Sequence, residues 1–512
     1  MEKYLYRPNT SKTANYVVWM AFPGIYSFAM SSLGFLWLYK LIDERDDVAV
    51  ERVCSDTEKT QYRVEDVDMI GFSFSFDFDF LNVFAMLEKY NIPLKSKDRT
   101  NSPLIFAGGP VVTANPEPYK EFFDFFVLGD GEDINTQVID ICKDAKNKQE
   151  ALEKLSNTEG VYVPTLADEN TSVKKVTKKI TECVYTPILS DEAFFKDTFI
   201  LEMARGCANR CGFCLASYLN LPLRCLPYDE LLRVIDLGLE NSDKIALLGA
   251  QISAHPHFKD ICKYIYDKVQ AGREIEMSVS SLRVDAITPE VVKTFVATGQ
   301  KNITLAIEAG SDRLRKVINK NLTEEQIFNA LKIAKENGLK GVKFYGMIGI
   351  PTETHEDILA IIELAKKIKF ENKGFDISFG FSSFVPKPHT PFQWCGREST
   401  KSLEDKSNFL QKELHKIGLT AHISSIKWDY WQAVLSRGDI NLDDFLLDVY
   451  KNGGKLGAFK KSAKKFNINA EDLACGNWSF DKKLPWDFIK VTPGKEFLIK
   501  ENQRLLNCQL EP

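Results

Sequence analysis

The chain has 512 residues, 44% of them hydrophobic and 27% charged, with a formal net charge of −5. That balance is ordinary for a soluble globular protein of two or three domains, and the net negative charge excludes a general attraction for polyanions, so nucleic-acid binding would need a local basic patch. Eleven cysteines, an odd number scattered along the chain, exclude a disulfide framework and suit a reducing cytoplasm.

Tyr16 to Tyr39 carries no charge and is long enough to imitate a membrane anchor. Pro23-Gly24 interrupts it, the first part reads as a buried strand (Tyr16–Phe22) and the second as a buried helix (Ala29–Ile42). Matching strands follow, which favours a soluble chain without a membrane span. They are Val48–Val53, Asp68–Phe76 (containing Ser73), Pro103–Pro110 and Phe122–Gly129, with a helix at Phe80–Tyr90. Continuous apolar runs alternating with helices predict a parallel sheet covered on both faces. Ligands of such sheets sit beyond the carboxyl ends of the strands, where Gly108, Gly109, Gly129, Gly131 and Glu132 would lie.

Residues 143–195 read as a connector: one charged helix over Lys143–Leu155, then a polar stretch with one or two edge strands. Its lysines 174, 175, 178 and 179 read as a solvated surface. From Thr198 the pattern becomes regular, with strands at 198–204, 244–249, 275–280, 302–308, 341–349 and 375–384. Helices lie between them, one opened by the capping box Thr323-x-x-Gln326 and closed by Gly338. Six strand–helix units predict a (β/α)6 partial TIM barrel whose site lies at the carboxyl ends of its strands. From residue 399 the pattern is mainly helical, and the six lysines between Lys451 and Lys465 read as a solvated face.

The segment Ala204-Arg-Gly-Cys-Ala-Asn-Arg-Cys-Gly-Phe-Cys214 directly follows the first barrel strand. A four-iron cubane normally takes four thiolates. Three from one loop, Cys207, Cys211 and Cys214, hold three corners and leave the fourth iron open to a small molecule. The alternative is a structural zinc, but a closed zinc site needs four Cys or His ligands, and no histidine precedes His255.

This loop, with Phe213 before its last cysteine, resembles that of the radical S-adenosylmethionine (SAM) enzymes. The resemblance implies a 4Fe–4S cluster whose bare iron chelates SAM and splits it reductively to a 5′-deoxyadenosyl radical, fed by a donor such as flavodoxin or ferredoxin. It implies SAM contacts from Gly249, Ala250 and Gln251 in place of a Gly-Gly-Glu element, and from Ser281 and Arg283. It also implies that Glu308 faces the ribose and that Ile348 and Gly349 face the adenine. A carboxylate ending an apolar strand is costly unless paired, which independently marks Glu308.

Ala107–Pro110, Asn115–Pro118 and Asp124–Glu132 resemble the cobalamin-binding-type domain fused to many radical SAM proteins. Phe22–Tyr26, Met30–Gly34, Ser383–Trp394, Leu435–Asp439 and Leu484–Asp487 resemble one uncharacterised family of them. The resemblance implies a cobalamin-binding-like, Rossmann-like (flavodoxin-like) domain over 1–142, a connector over 143–195, the barrel over 196–398 and a helical domain over 399–512. It implies cobalamin contacts from Ser73, Gly108, Gly109, Pro110, Gly129, Gly131 and Glu132, and substrate-facing His389 and Cys395. Two departures stand out: the Asp-x-His-x-x-Gly motif is missing, and of the further cysteines that often end such chains only Cys508 is present. Cobalamin bound without a protein ligand and a Rossmann-like remnant both remain open. The reactions implied are methyl transfer with cobalamin or RNA methylthiolation without it. A non-catalytic iron–sulfur redox sensor is the competing class.

Overall fold

The computed structural model describes residues 1–9, 14–100 and 103–507, so Cys508 lies outside the described residues. Its first sheet has strands β1 (Val17–Phe22), β2 (Ala49–Cys54), β3 (Met69–Ser73), β4 (Leu104–Gly108), β5 (Phe125–Val127) and β6 (Val161–Tyr162) in the order β2-β1-β3-β4-β5-β6. The first five are parallel and β6 closes the edge antiparallel. The order 2-1-3-4-5 is the flavodoxin-like doubly wound order, with its switch point between β1 and β3.

Helix α1 (Leu33–Asp43) explains the charge-free run. One of its faces (Phe35, Leu36, Tyr39, Ile42) joins the core against the first sheet. The opposite face (Leu33, Trp37 and the partly buried Leu41) packs on Ile200 and Ala246 of the second sheet system. A helix buried on both sides must be apolar all round. No helix among the described residues is long and apolar enough to cross a membrane.

The barrel strands are β7 (Thr198–Arg205), β8 (Arg224–Cys225), β9 (Lys244–Gly249), β10 (Glu276–Val279), β11 (Asn302–Glu308), β12 (Gly341–Ile348), β13 (Asp376–Ser383) and β14 (Thr420–Ile423). The six strands read from the sequence are joined by two more: β8 pairs antiparallel with β7, and β14 adds to β13 in parallel. They form two four-stranded sheets, β8-β7-β9-β10 and β11-β12-β13-β14, bridged at Leu282 and Leu305. The outer face of both carries the helices and a continuous core that includes Leu231, Ile261, Phe295, Leu331 and Ile361.

Two readings of the connector region are corrected. The single charged helix over 143–155 is two helices, α2 (Glu132–Asp144) and a second over Lys148–Ser156. Ala145 is extended, and the Asn147 side chain caps the new helix by accepting from the Glu150 amide at 3.0 Å. Lys175 is not a solvated lysine but is buried, its ammonium bonded to the Val176 carbonyl and the Thr177 hydroxyl. The C-terminal helices do not stand apart: Trp431, Phe445 and Phe459 share one core with Phe80, Phe84 and Tyr119 of the first sheet system.

Candidate functional site

The cysteine loop is shaped by main-chain geometry. Gly206 turns it with φ +86°, where a Cβ would lie 2.4 Å from the Asn220 carbonyl, so glycine is required. The Cys214 amide donates to the Cys211 carbonyl (3.0 Å) and the Gly212 amide to Ile318 (3.1 Å). The Tyr218 hydroxyl donates to the Arg210 carbonyl at 2.9 Å, and the Asn319 amide donates to the carbonyls of Asn209 (2.8 Å) and Arg210 (3.2 Å). Gly212 lies under Leu505 and Phe392, so the last helix seals the back of the loop.

Cys207 and Cys211 are buried and Cys214 is partly open. Burial pushes the Cys211 thiol up to about 12, opposed by the nearby Lys320 ammonium and raised further by Cys214, Glu308 and Cys207. Lys320, Glu308, Cys214 and Cys207 are thus near enough to Cys211 to act on it electrostatically, and Cys211 and Cys207 act likewise on Arg283. Thiolate is the ligand form, so metal loading displaces protons here. Among the described residues no three His, Cys, Asp or Glu side chains gather round a single ion. Three cysteine thiols from one loop are donors of the type that hold iron–sulfur clusters, so their chemistry fits one.

Of the strand-end residues singled out above, Gln251 contacts the cysteine loop directly. The Gln251 carbonyl oxygen lies 3.3 Å from Cys207 Sγ and is also bonded to the Asn209 side chain. Gly249 and Ala250 precede it, and Ser281 is exposed. Arg283 is bonded to Asp285 at 2.7 Å and to the Lys320 carbonyl at 3.5 Å, so its guanidinium is already engaged. Glu308 pairs with Lys320 at 3.0 Å and holds φ +64°, a strained value for a residue with a side chain. Ile348 is fully buried. Gly349, at φ +72°, donates its amide to Glu353 at 3.0 Å.

Gly349 also lines a separate cavity of about 560 Å³ that contains Cys395. His389 is elsewhere again, lining a 250 Å³ cavity with Trp486 and Lys495. Cys395 belongs to an apolar cluster that Phe213 of the cysteine loop joins, whereas His389 lies in the other cavity. Sequence reasoning missed Asn209 and Asn319, whose only signal was the turn-forming Asn319-Lys-Asn321.

His389 has only 3% of its surface exposed, and its Nε2 lies 3.1 Å from the Ala114 carbonyl. Burial draws its pKa down from 6.5 to about 4, against the Ala114 contact. The folded imidazole is therefore neutral while the unfolded chain takes up a proton below about 6.5, so stability falls as pH drops from about 6.5 towards 4. The loss expected from this group is about 3 kcal/mol. Urea titrations at pH 7 and pH 4.5 should show a smaller difference for His389→Asn, which tolerates the residue's φ of +57°. An equal difference would reject the assignment.

All seven glycine-loop residues singled out above border two adjoining cavities. The first, about 280 Å³, is lined by Ser73, Gly108, Gly109, Pro110, Gly129 and Gly131, with Gly34, Leu38 and Asn135. The second, about 330 Å³, shares Gly109, Pro110, Gly129 and Gly131 and adds Trp37, Glu132, Glu202, Arg205 and Asn220. It opens between the carboxyl ends of the first sheet and the segments flanking the cysteine loop. A Cβ at Gly109 would meet the Phe74 carbonyl at 2.5 Å, and one at Gly131 would meet the Asn135 amide at 2.9 Å, so the cradle depends on absent side chains. The buried Asn135 Oδ1 has no partner in the fold, and a bound group could supply one.

The fold and the thiol loop define a class, and comparison with known proteins gives the same one. Residues 34–164 match the model of the N-terminal region of radical SAM proteins, and residues 201–365 match that of the radical SAM superfamily. An uncharacterised protein of Methanocaldococcus jannaschii is 33% identical over 410 residues, 78% of this chain and 84% of that one. The chain belongs to the radical SAM superfamily, whose members use a 4Fe–4S cluster and SAM. An uncharacterised methyltransferase of Pyrococcus horikoshii is 25% identical over 68% of this chain and 75% of its own length. A tRNA-2-methylthio-N(6)-dimethylallyladenosine synthase of Methylobacillus flagellatus is 24% identical over only 44% of this chain and 53% of its own. Among solved structures, the radical SAM methyltransferase TsrM of Kitasatospora setae, with cobalamin and a [4Fe–4S] cluster bound, shares the fold: TM-score 0.51, 13% identity, 72% of this chain and 75% of that one.

Proposed function

We propose that this protein is a cobalamin-dependent radical SAM methyltransferase. The observation that carries the reading is the pair of adjoining cavities, walled by the glycine loops at the carboxyl ends of the first sheet and bordered on the other side by the segments flanking the cysteine loop. Cys207, Cys211 and Cys214 would hold the cluster; Gln251, Ser281, Glu308 and Lys320 would surround SAM; the seven glycine-loop residues would hold cobalamin. When bound, these groups supply one-electron reduction and methyl-carrying chemistry.

The protein's part is to bind, orient and exclude water. Gln251 offers an uncharged carbonyl where the superfamily often has a carboxylate, and Lys320, paired with Glu308, adds a cation near Cys211. Histidine ligation of cobalt from the first sheet is excluded, because the first histidine of the chain is His255. The relative named a methyltransferase spans 68% of the chain, whereas the methylthiolation enzyme spans 44%, which supports methyl transfer over RNA methylthiolation.

Anaerobic reconstitution with iron, sulfide and hydroxocobalamin tests the reading. Retention of the corrinoid through gel filtration, with release of 5′-deoxyadenosine or S-adenosylhomocysteine on adding SAM and dithionite, is expected. An intact cluster with neither product would favour the sensor, and products without corrinoid retention would remove cobalamin from the assignment.

A further inference from the structure

The residue before the glycine turn of the cysteine loop, Arg205, reaches across to the loop that lines both cavities from the other side. Its guanidinium meets Asp130 at 3.1 Å, Glu132 at 2.8 Å and Glu202 of its own strand at 2.7 Å. Arg224, its cross-strand partner on β8, donates to the other Asp130 oxygen at 2.5 Å, and the Lys178 amide adds a third contact to that carboxylate at 2.7 Å. The side chains of Arg205, Asp130 and Glu132 are 14%, 9% and 9% exposed. Burial works against charge on Asp130, yet the two guanidiniums hold its carboxyl below the ordinary value. Asp130 thus ties together four segments: the cysteine-loop stem, β8, the connector and the glycine loop. A buried network of this kind keeps its geometry only when every member is present.

We propose that Arg205 is a positioning residue that fixes the register of the cysteine loop over the Gly129–Glu132 loop, and so sets how the cluster faces whatever occupies the cavity between them. A single residue, the constrained Gly206, separates Arg205 from Cys207, so a shift of the guanidinium is passed to the first thiol with little slack. The bidentate contact to Glu202 fixes the plane of the fork, and the remaining nitrogen edges point to the glycine loop. Lysine, a point charge, satisfies one of these carboxylates and not all three. The consequence for cobalamin rests on the function proposed above; the clamp itself does not.

The test compares R205K and R205M with the natural chain in three measurements: iron per chain after anaerobic reconstitution, the Kd for hydroxocobalamin, and hydrogen exchange of the peptides spanning 129–132 and 206–214. For R205M we expect unchanged iron, a Kd weakened by at least about tenfold and faster exchange in both peptides together, with R205K recovering part of each. Faster exchange in one peptide alone, or wild-type Kd and exchange in R205M, overturns the proposal. If the natural chain itself fails to bind hydroxocobalamin, the cofactor reading falls while the exchange measurement still decides the clamp. Should R205M not fold, E132Q, which removes a single arm, is read in the same way.

Discussion

Replacing Cys211 with serine is expected to leave the chain folded and unable to assemble its cluster, with 5′-deoxyadenosine formation reduced to background. The thiol is buried within electrostatic reach of Lys320 and the other two cysteines, while the loop's path is held by bonds that do not involve sulfur. Asn319 and Tyr218 still grip the carbonyls of residues 209 and 210, and the Gly212 amide still meets Ile318. Serine therefore has the same place to stand, but its hydroxyl does not replace a thiolate on iron. Iron and sulfide analysis after anaerobic reconstitution, beside SAM turnover with dithionite, reads the result. Cys225→Ser is the control, because Cys225 is a half-buried residue of β8 outside the loop and should retain full iron. Full iron and turnover in Cys211→Ser would remove the three-thiol assignment.

What could be read from the sequence follows physical locality. The apolar runs gave the parallel strands because both faces of each sheet are covered, and the thiol spacing marked a loop whose candidate ligands are all local. The glycine loops were legible for the same reason: the strand before each one ends on the same edge of the first sheet. Contacts made across hundreds of residues were not legible. Arg205 looks like any arginine until Asp130 and Glu132, more than seventy positions earlier, are folded onto it. His389 and Cys395 sit in a loop that resembles a substrate-facing segment, and the fold buries both side chains at the edges of two different cavities. The break at Ala145 escaped notice because lysines and acids continue through it, and only the Asn147 cap marks the new helix.

Asp124 shows how a motif residue can serve stability. It opens the run Asp124–Glu132 whose glycines line the cavities, yet its own carboxylate is fully buried away from them. One oxygen accepts from the Ile105 amide at 2.7 Å; the other accepts from Lys148 at 2.7 Å and from the Ser96 hydroxyl. The equally buried Arg99 guanidinium lies 3.4 Å away through Nη2, which also donates to the Phe122 carbonyl, while Nη1 donates to the carbonyls of Pro93 and Leu94. No other carboxylate pairs with Arg99 among the described residues. Removing Asp124 leaves a buried cation unpaired, so Asp124→Ala is expected to cost about 3–5 kcal/mol. Urea unfolding followed by circular dichroism measures it. The paired change Asp124→Leu with Arg99→Met should recover most of the loss, because apolar groups of similar volume can replace a buried ion pair at little cost while Lys148, partly exposed, turns to solvent. If the single and paired variants unfold alike, the damage comes from lost packing or from the Ile105 contact, and the charge argument fails.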